Sequence, residues 1–142
     1  MNLDALINSL MRLDPATPMR PGFSNPHSYR GVYADVAFSP VNESTAGEML
    51  GYAKAALGST FQGWKGGEFT MDGQCYVYLA ERGDCGEAIE PLTITAMILQ
   101  GRGWWELDET KRARFRDLAA RLSDIQTAII EVADAVKREV KK

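Results

Sequence analysis

The chain has 142 residues, 45% of them hydrophobic and 25% charged, and a formal net charge of −3. That length and mixture describe one ordinary globular domain with a core of its own. The acidic balance argues against a binder of nucleic acid polymer.

Read in chain order, the elements are those of an α+β protein. Leu3, Leu6, Ile7, Leu10 and Leu13 recur at helical spacing and predict a short N-terminal helix. Residues 14–26 hold four of the six prolines and read as an irregular arm. Residues 29–38 are aromatic and β-branched enough for a first strand. Ser44 or Thr45 can cap a helix running to Leu57, with Gly58 as its stop. Residues 61–71 contain Gly63, Gly66 and Gly67 and predict a strand interrupted by a tight turn or bulge. Residues 74–81 read as a strand, 82–86 as a loop and 89–100 as the last strand, with a helical alternative for 96–100.

The last segment differs in kind. Phe115, Leu118, Leu122, Ile125, Ile129, Val132 and Val136 are spaced 3, 4, 3, 4, 3, 4, an a/d heptad stripe that lays a narrow seam against another helix. From Asp108 to the end such a helix would be about 50 Å long, more than a domain of this size covers easily. An oligomerising helix is the favoured reading, a helix packed on its own sheet the other. The expected whole is therefore one domain: a helix and Pro-rich arm (1–27), a sheet region (28–103) with an antiparallel sheet of four to five strands and one helix after the first strand, and the long heptad helix (104–142).

Other features narrow the class. No apolar run approaches the ~20 residues that cross a bilayer, and the first thirteen residues carry Asp4 and no early cation, unlike a secretory leader. Cys75 and Cys85 make no disulfide framework and read as reduced thiols of a cytoplasmic protein. His27 is the one histidine, and the cysteines lack a CxxC spacing, so neither a zinc pattern nor a histidine pair for acid/base exchange is present, and the carboxylates Glu68 and Asp72 read as a solvated hairpin edge. The Lys of Gly63-Trp-Lys-Gly-Gly67 precedes its glycines, so this is not a P-loop. No catalytic residue, metal or cofactor is expected.

The cations keep unusual company. Arg30 lies between Tyr29 and Gly31, Lys65 between Trp64 and two glycines, Arg82 before Gly83, and Arg102 between two glycines next to Trp104 and Trp105. Glycine lets backbone N–H groups approach a ligand, Arg pairs bidentately with phosphate, and aromatic rings offer a stacking face. Each alone reads equally as a turn with a solvated charge; together they point to a site for phosphates and a base. Residues 108–142 hold nine Lys/Arg and seven Asp/Glu, and Arg112 and Arg116 project from neighbouring turns of one predicted helix face. Cations near a helix N-terminus oppose the macrodipole, which an anion among them, or acidic residues of a partner chain, would offset.

The order of Ser28-Tyr-Arg-Gly-Val-Tyr33, residues 61–71, the strand 75–80 and a long helix bearing arginines resembles the first type of phage Thoeris anti-defence protein, over about residues 28–136. The resemblance implies an antiparallel sheet with long helices assembled as dimers or as hexamers built from dimers. It implies sequestration, without cleavage, of a cyclic ADP-ribose isomer, and in some members of cyclic oligonucleotides as well. Carried onto matching positions, Arg30, Arg112 and Arg116 become phosphate contacts, and Phe69, Tyr76 and Tyr78 stacking candidates. The residues themselves leave two alternatives: an assembly protein whose heptad helix is the whole function, and a protein-binding inhibitor using Trp104 and Trp105. A hydrolase of the same signal molecule fits the residue inventory least.

Overall fold

The computed structural model describes residues 1–101 together with 103, 109, 110, 113 and 138. The expected heptad helix, Arg112 and Arg116 included, lies outside the described residues, of which Glu109, Thr110, Ala113 and Arg138 are helical and exposed. Over the described residues the chain is α+β with three helices.

Helix α1 (Leu3–Met11) starts where Asn2 Oδ1 accepts the Ala5 N–H at 2.9 Å, and Asp4 in its first turn suits the macrodipole. Its Leu3, Leu6, Ile7 and Leu10 are buried on one stripe. Next, β1 (Pro18–Met19) and β2 (Gly22–Ser28) occupy the stretch expected to be an irregular arm, and the sheet therefore begins before residue 28. Residues 29–35, expected within the first strand, form the loop to β3 (Val36–Val41). The prolines did not prevent pairing because Pro26 sits at a register break, where the ladder needs no donor.

A short β4 (Ser44–Thr45) pairs with β1 and runs into α2 (Ala46–Ala56), whose Thr45 and Glu48 form a reciprocal capping box. Beyond it Gly58, at φ 78°, turns the chain, as its position predicts. Strands β5 (Thr60–Gln62) and β6 (Glu68–Thr70) make the expected glycine-turned hairpin, pairing Phe61 with Phe69. Strand β7 (Val77–Leu79) is shorter than the predicted 74–81 and is followed by β8 (Glu87–Ala88).

The expected last strand is a helix, α3 (Pro91–Gly101). The β-branched run Thr93-Ile-Thr95 favours a strand locally, but Ile94, Met97 and Ile98 bury at helical spacing, and tertiary packing overrides propensity. Pro91 suits a helix start, where its missing N–H costs nothing.

The main sheet has strand order β2-β3-β7-β8 and is mixed, not antiparallel: β3 and β7 run parallel. A parallel pair needs a crossover, and α2 with the β5–β6 hairpin supplies it. One face of the sheet carries the core, where Phe23 and Phe38 stack at 4.3 Å beside Val36 and Val77 and against the buried residues of α1, α2 and α3. The reverse face carries a smaller cluster of Tyr29, Ala37, Ala80 and Tyr78.

A β-bulge decides what reaches that reverse face. Register slips between Ser24 and Pro26, and Asn25, at φ 37°, takes a left-handed conformation that Asn tolerates better than most. Phe23 pairs with Pro40 and Pro26 with Phe38, on the core face; His27 pairs with Ala37, on the other. Without the extra residue, positions 23 and 27 would share a face. The bulge thus moves His27 out of the core layer and into a cross-strand row with Ala37, Tyr78 and Ala88.

Candidate ligand-binding site

Three loops converge over the reverse face near His27: residues 29–35, the turn of the β5–β6 hairpin, and residues 80–86 between β7 and β8. Side chains tie them together. Tyr29 stacks on Tyr78 at 3.8 Å with ring planes 4° apart, and its hydroxyl donates to the Gly86 carbonyl at 3.3 Å. Tyr33 meets Phe69 edge-on at 5.8 Å. Arg30 donates from its guanidinium to the Gly83 carbonyl at 2.8 Å and lies over the Trp64 ring, 5.1 Å from its centroid.

Glycines make this closeness possible. Gly83 holds φ 82°, and a Cβ there would stand 2.3 Å from Trp64 Cζ3, so any other residue would have to displace the indole. In the hairpin turn Gly66 and Gly67 are left-handed, and the Gly63 N–H donates to the Gly67 carbonyl at 2.9 Å.

Between the loops lies a cavity of about 270 Å³, lined by His27, Ser28, Gln62, Gly63, Trp64, Gly66, Arg82 and Gly83. Trp64 is 53% exposed, while His27 keeps only 8% of its surface accessible. His27 Nδ1 lies 3.1 Å from the Asn25 carbonyl, and Nε2 is buried with no hydrogen-bond partner among the described residues. The Ser28 hydroxyl donates to the Tyr33 carbonyl at 2.6 Å. Burial, and then the Asp35 carboxylate, raise the pKa of the Tyr78 hydroxyl.

A second cavity of about 340 Å³ lies where β1, β4 and the end of α3 meet. Its polar groups answer one another: Arg20 pairs with Glu43 at 2.6 Å, and Ser44 donates to the Glu48 carboxylate at 2.8 Å. The smaller cavity, which Arg82 and the exposed Trp64 line together, is the better candidate.

Of the residues singled out in the sequence, Arg30, Trp64 and Arg82 come together here, and Tyr78 lies beneath Tyr29 on the same face. Lys65 is exposed at the hairpin turn and does not line the cavity. Phe69 is half-buried against Tyr33 and the core, which leaves its ring faces committed to packing. Tyr76 is 59% exposed in a bridge with Asn2, and its N–H donates to the Asp35 carboxylate at 2.9 Å, apart from the cavity lining. Arg112 and Arg116 lie outside the described residues.

Sequence reasoning did not place His27 or Gln62 at the cavity. His27 had been placed in an irregular arm; Asn25-Pro26, read as a bulge instead of a strand breaker, would have kept it in a strand. Among the described residues no group of three or more His, Cys, Asp and Glu could hold a metal ion, and no helix is long and apolar enough to cross a membrane. Both cysteines are free, Cys75 buried and Cys85 exposed. No family model, no curated protein and no solved structure matches the chain.

Proposed function

We propose that this chain binds a small phosphorylated ligand bearing an aromatic base in the three-loop cavity and holds it chemically unchanged. The observation that carries this reading is the meeting of Arg82 with the exposed Trp64 ring, itself backed by Arg30, at one cavity. A guanidinium supplies charge-assisted bonds to a phosphate, and an indole supplies a stacking face. Support for simple retention comes from the groups that catalysis would need. The Ser28 hydroxyl is engaged by Tyr33 and not by its neighbour His27, and neither cysteine lines the cavity.

Within that class, the resemblance to Thoeris anti-defence proteins favours a cyclic nucleotide signal, a cyclic ADP-ribose isomer or a cyclic oligonucleotide. Sequestration of such a signal in the cytoplasm of a bacterial host would block anti-phage defence. A sequestering protein works by mass action, lowering free ligand below what the host effector requires. The cavity is slightly smaller than the ~300–1,000 Å³ of typical small-molecule sites, so it suits one phosphate and a base better than a whole dinucleotide. The heptad helix supplies the rest in this reading: it assembles a dimer, or a hexamer of dimers, and brings Arg112 and Arg116 of one chain to the loops of another.

The test is to incubate the purified chain with cyclic ADP-ribose isomers and cyclic oligonucleotides and to follow free ligand by chromatography before and after heat denaturation. Ligand that disappears and returns intact is the expected result. Ligand returned cleaved would mean catalysis, and no depletion would leave the heptad helix as the function.

A further inference from the structure

The β5–β6 hairpin sends its side chains in two directions. A Cβ at Gly63 would meet Phe69 Cε2 at 2.9 Å and Tyr33 Cδ2 at 3.2 Å, so that position faces the ring packing behind the hairpin. Side chains alternate along a strand, and Phe61, two residues back, packs against the core in the same sense. Gln62 and Trp64 flank Gly63, are both exposed, and both line the three-loop cavity. Their Cα atoms are no more than about 7 Å apart, the extended span of two residues. Trp64 is held by Arg30 and still keeps 53% of its surface open for stacking. A base stacked on that indole presents its polar edge sideways, within reach of a neighbour two residues away.

Gln62 is suited to such an edge. Its primary amide carries a donor and an acceptor side by side at the end of three rotatable bonds. An exposed side chain exchanges water for a ligand group and gives up no packing. Across the hairpin Gln62 pairs with Glu68, which lies outside the cavity lining, so of these two polar residues Gln62 is the one placed for a ligand.

We infer that Gln62 reads the base, its amide accepting from the exocyclic amine and donating to the adjacent ring nitrogen of a base stacked on Trp64 while Arg82 holds the phosphate. The inference rests on the nucleotide reading and gives that site its specificity. An adenine-type edge, with an amine beside a ring acceptor, matches the amide with two bonds. The same ring without its amine matches it with one.

The test is equilibrium dialysis of adenosine, purine riboside and guanosine monophosphates against the full chain, Gln62→Ala and Gln62→Glu. The wild-type chain should hold adenosine monophosphate roughly threefold to tenfold more tightly than the purine analogue, which lacks the amine. In Gln62→Ala that ratio should fall to near one, because both partners of the same bond are then gone. Gln62→Glu presents acceptors alone and should shift the preference toward guanosine monophosphate, whose N1–H and exocyclic amine both donate. All three probes carry the same phosphate, so a change in the Arg82 contact moves them together and leaves the ratios in place.

A wild-type ratio near one, or a ratio that Gln62→Ala leaves unchanged, overturns the inference and leaves the nucleotide reading standing. Retention of none of the three probes overturns both. Melting curves check that the variants fold. Should Gln62→Ala fail to fold, Gln62→Glu decides alone, and an unshifted preference for adenosine monophosphate overturns the inference.

Discussion

The guanidinium of Arg30 lies over the indole of Trp64, 5.1 Å from the ring centroid, and at the same time donates to the Gly83 carbonyl at 2.8 Å. One side chain from the loop after β2 thereby clamps two other loops. Its hydrogen-bonding capacity is partly spent inside the protein, which separates it from Arg82, one of the residues lining the cavity.

That division predicts different phenotypes for the two arginines. Arg30→Ala should lower stability by about 1 kcal/mol, the scale of an exposed cation–π contact with a hydrogen bond, and should loosen binding indirectly. Arg82→Ala should leave the melting temperature within error and weaken ligand binding roughly tenfold to a hundredfold, the loss expected for one charge-assisted bond. Chemical denaturation and dialysis on both variants separate the roles. Equal effects on stability would remove the distinction.

Gly83 offers a steric test of the same clamp. Alanine there must hold φ near 82° and place a Cβ 2.3 Å from Trp64 Cζ3. The left-handed backbone alone costs about 1–2 kcal/mol, and the exposed indole has room to swing away. Gly83→Ala should fold, unfold at lower denaturant, shift tryptophan emission and lose ligand. Retained binding with unchanged emission would show that the close approach is dispensable.

The two thiols should behave oppositely. Burial, followed by the Asp35 and Asp72 carboxylates, pushes the Cys75 thiol up to about 11 from 9.0, whereas Cys85 is exposed. A thiol reagent at pH 8 should label Cys85 quickly and Cys75 only on unfolding. The raised value also makes the fold alkali-sensitive. Between pH 9 and 11 the unfolded chain gives up the Cys75 proton and the native one keeps it. Stability should therefore be flat below pH 9 and fall above it by up to about 1.4 kcal/mol per pH unit. The elevated Tyr78 hydroxyl acts in the same direction. Cys75→Ala should flatten part of that slope, which denaturant titrations across this range would show.

A capping variant serves as a control far from the proposed chemistry. Thr45 accepts the Glu48 N–H at 3.2 Å while the Glu48 carboxylate accepts the Thr45 N–H at 3.2 Å. Thr45→Ala should cost about 1 kcal/mol and leave ligand affinity unchanged. A loss of affinity would couple α2 to the cavity.

Local signals were legible where one physical cause dominates. The stripe of Leu3, Leu6, Ile7 and Leu10 gave α1, a cap at Ser44 or Thr45 with the stop at Gly58 gave α2, and the glycines at 63, 66 and 67 gave the hairpin turn. Long-range choices were not. The parallel pairing of Val36 with Val77 leaves no mark in either strand, and α3 hid behind Thr93-Ile-Thr95 because only the core it packs against shows which face is buried. The candidate site was half legible. Arg30, Trp64 and Arg82 stood out through their glycine neighbours, but His27 reaches them by a bulge that lone-residue reasoning reads as a break.

The most direct measurement is equilibrium dialysis of cyclic ADP-ribose isomers against the wild-type chain, Trp64→Ala and Arg82→Ala, followed by mass analysis of ligand released on denaturation. The account predicts retention by the wild-type chain, a tenfold or greater loss in both variants, and released ligand of unchanged mass. Undiminished retention by Trp64→Ala and Arg82→Ala, or a ligand of altered mass, would contradict it.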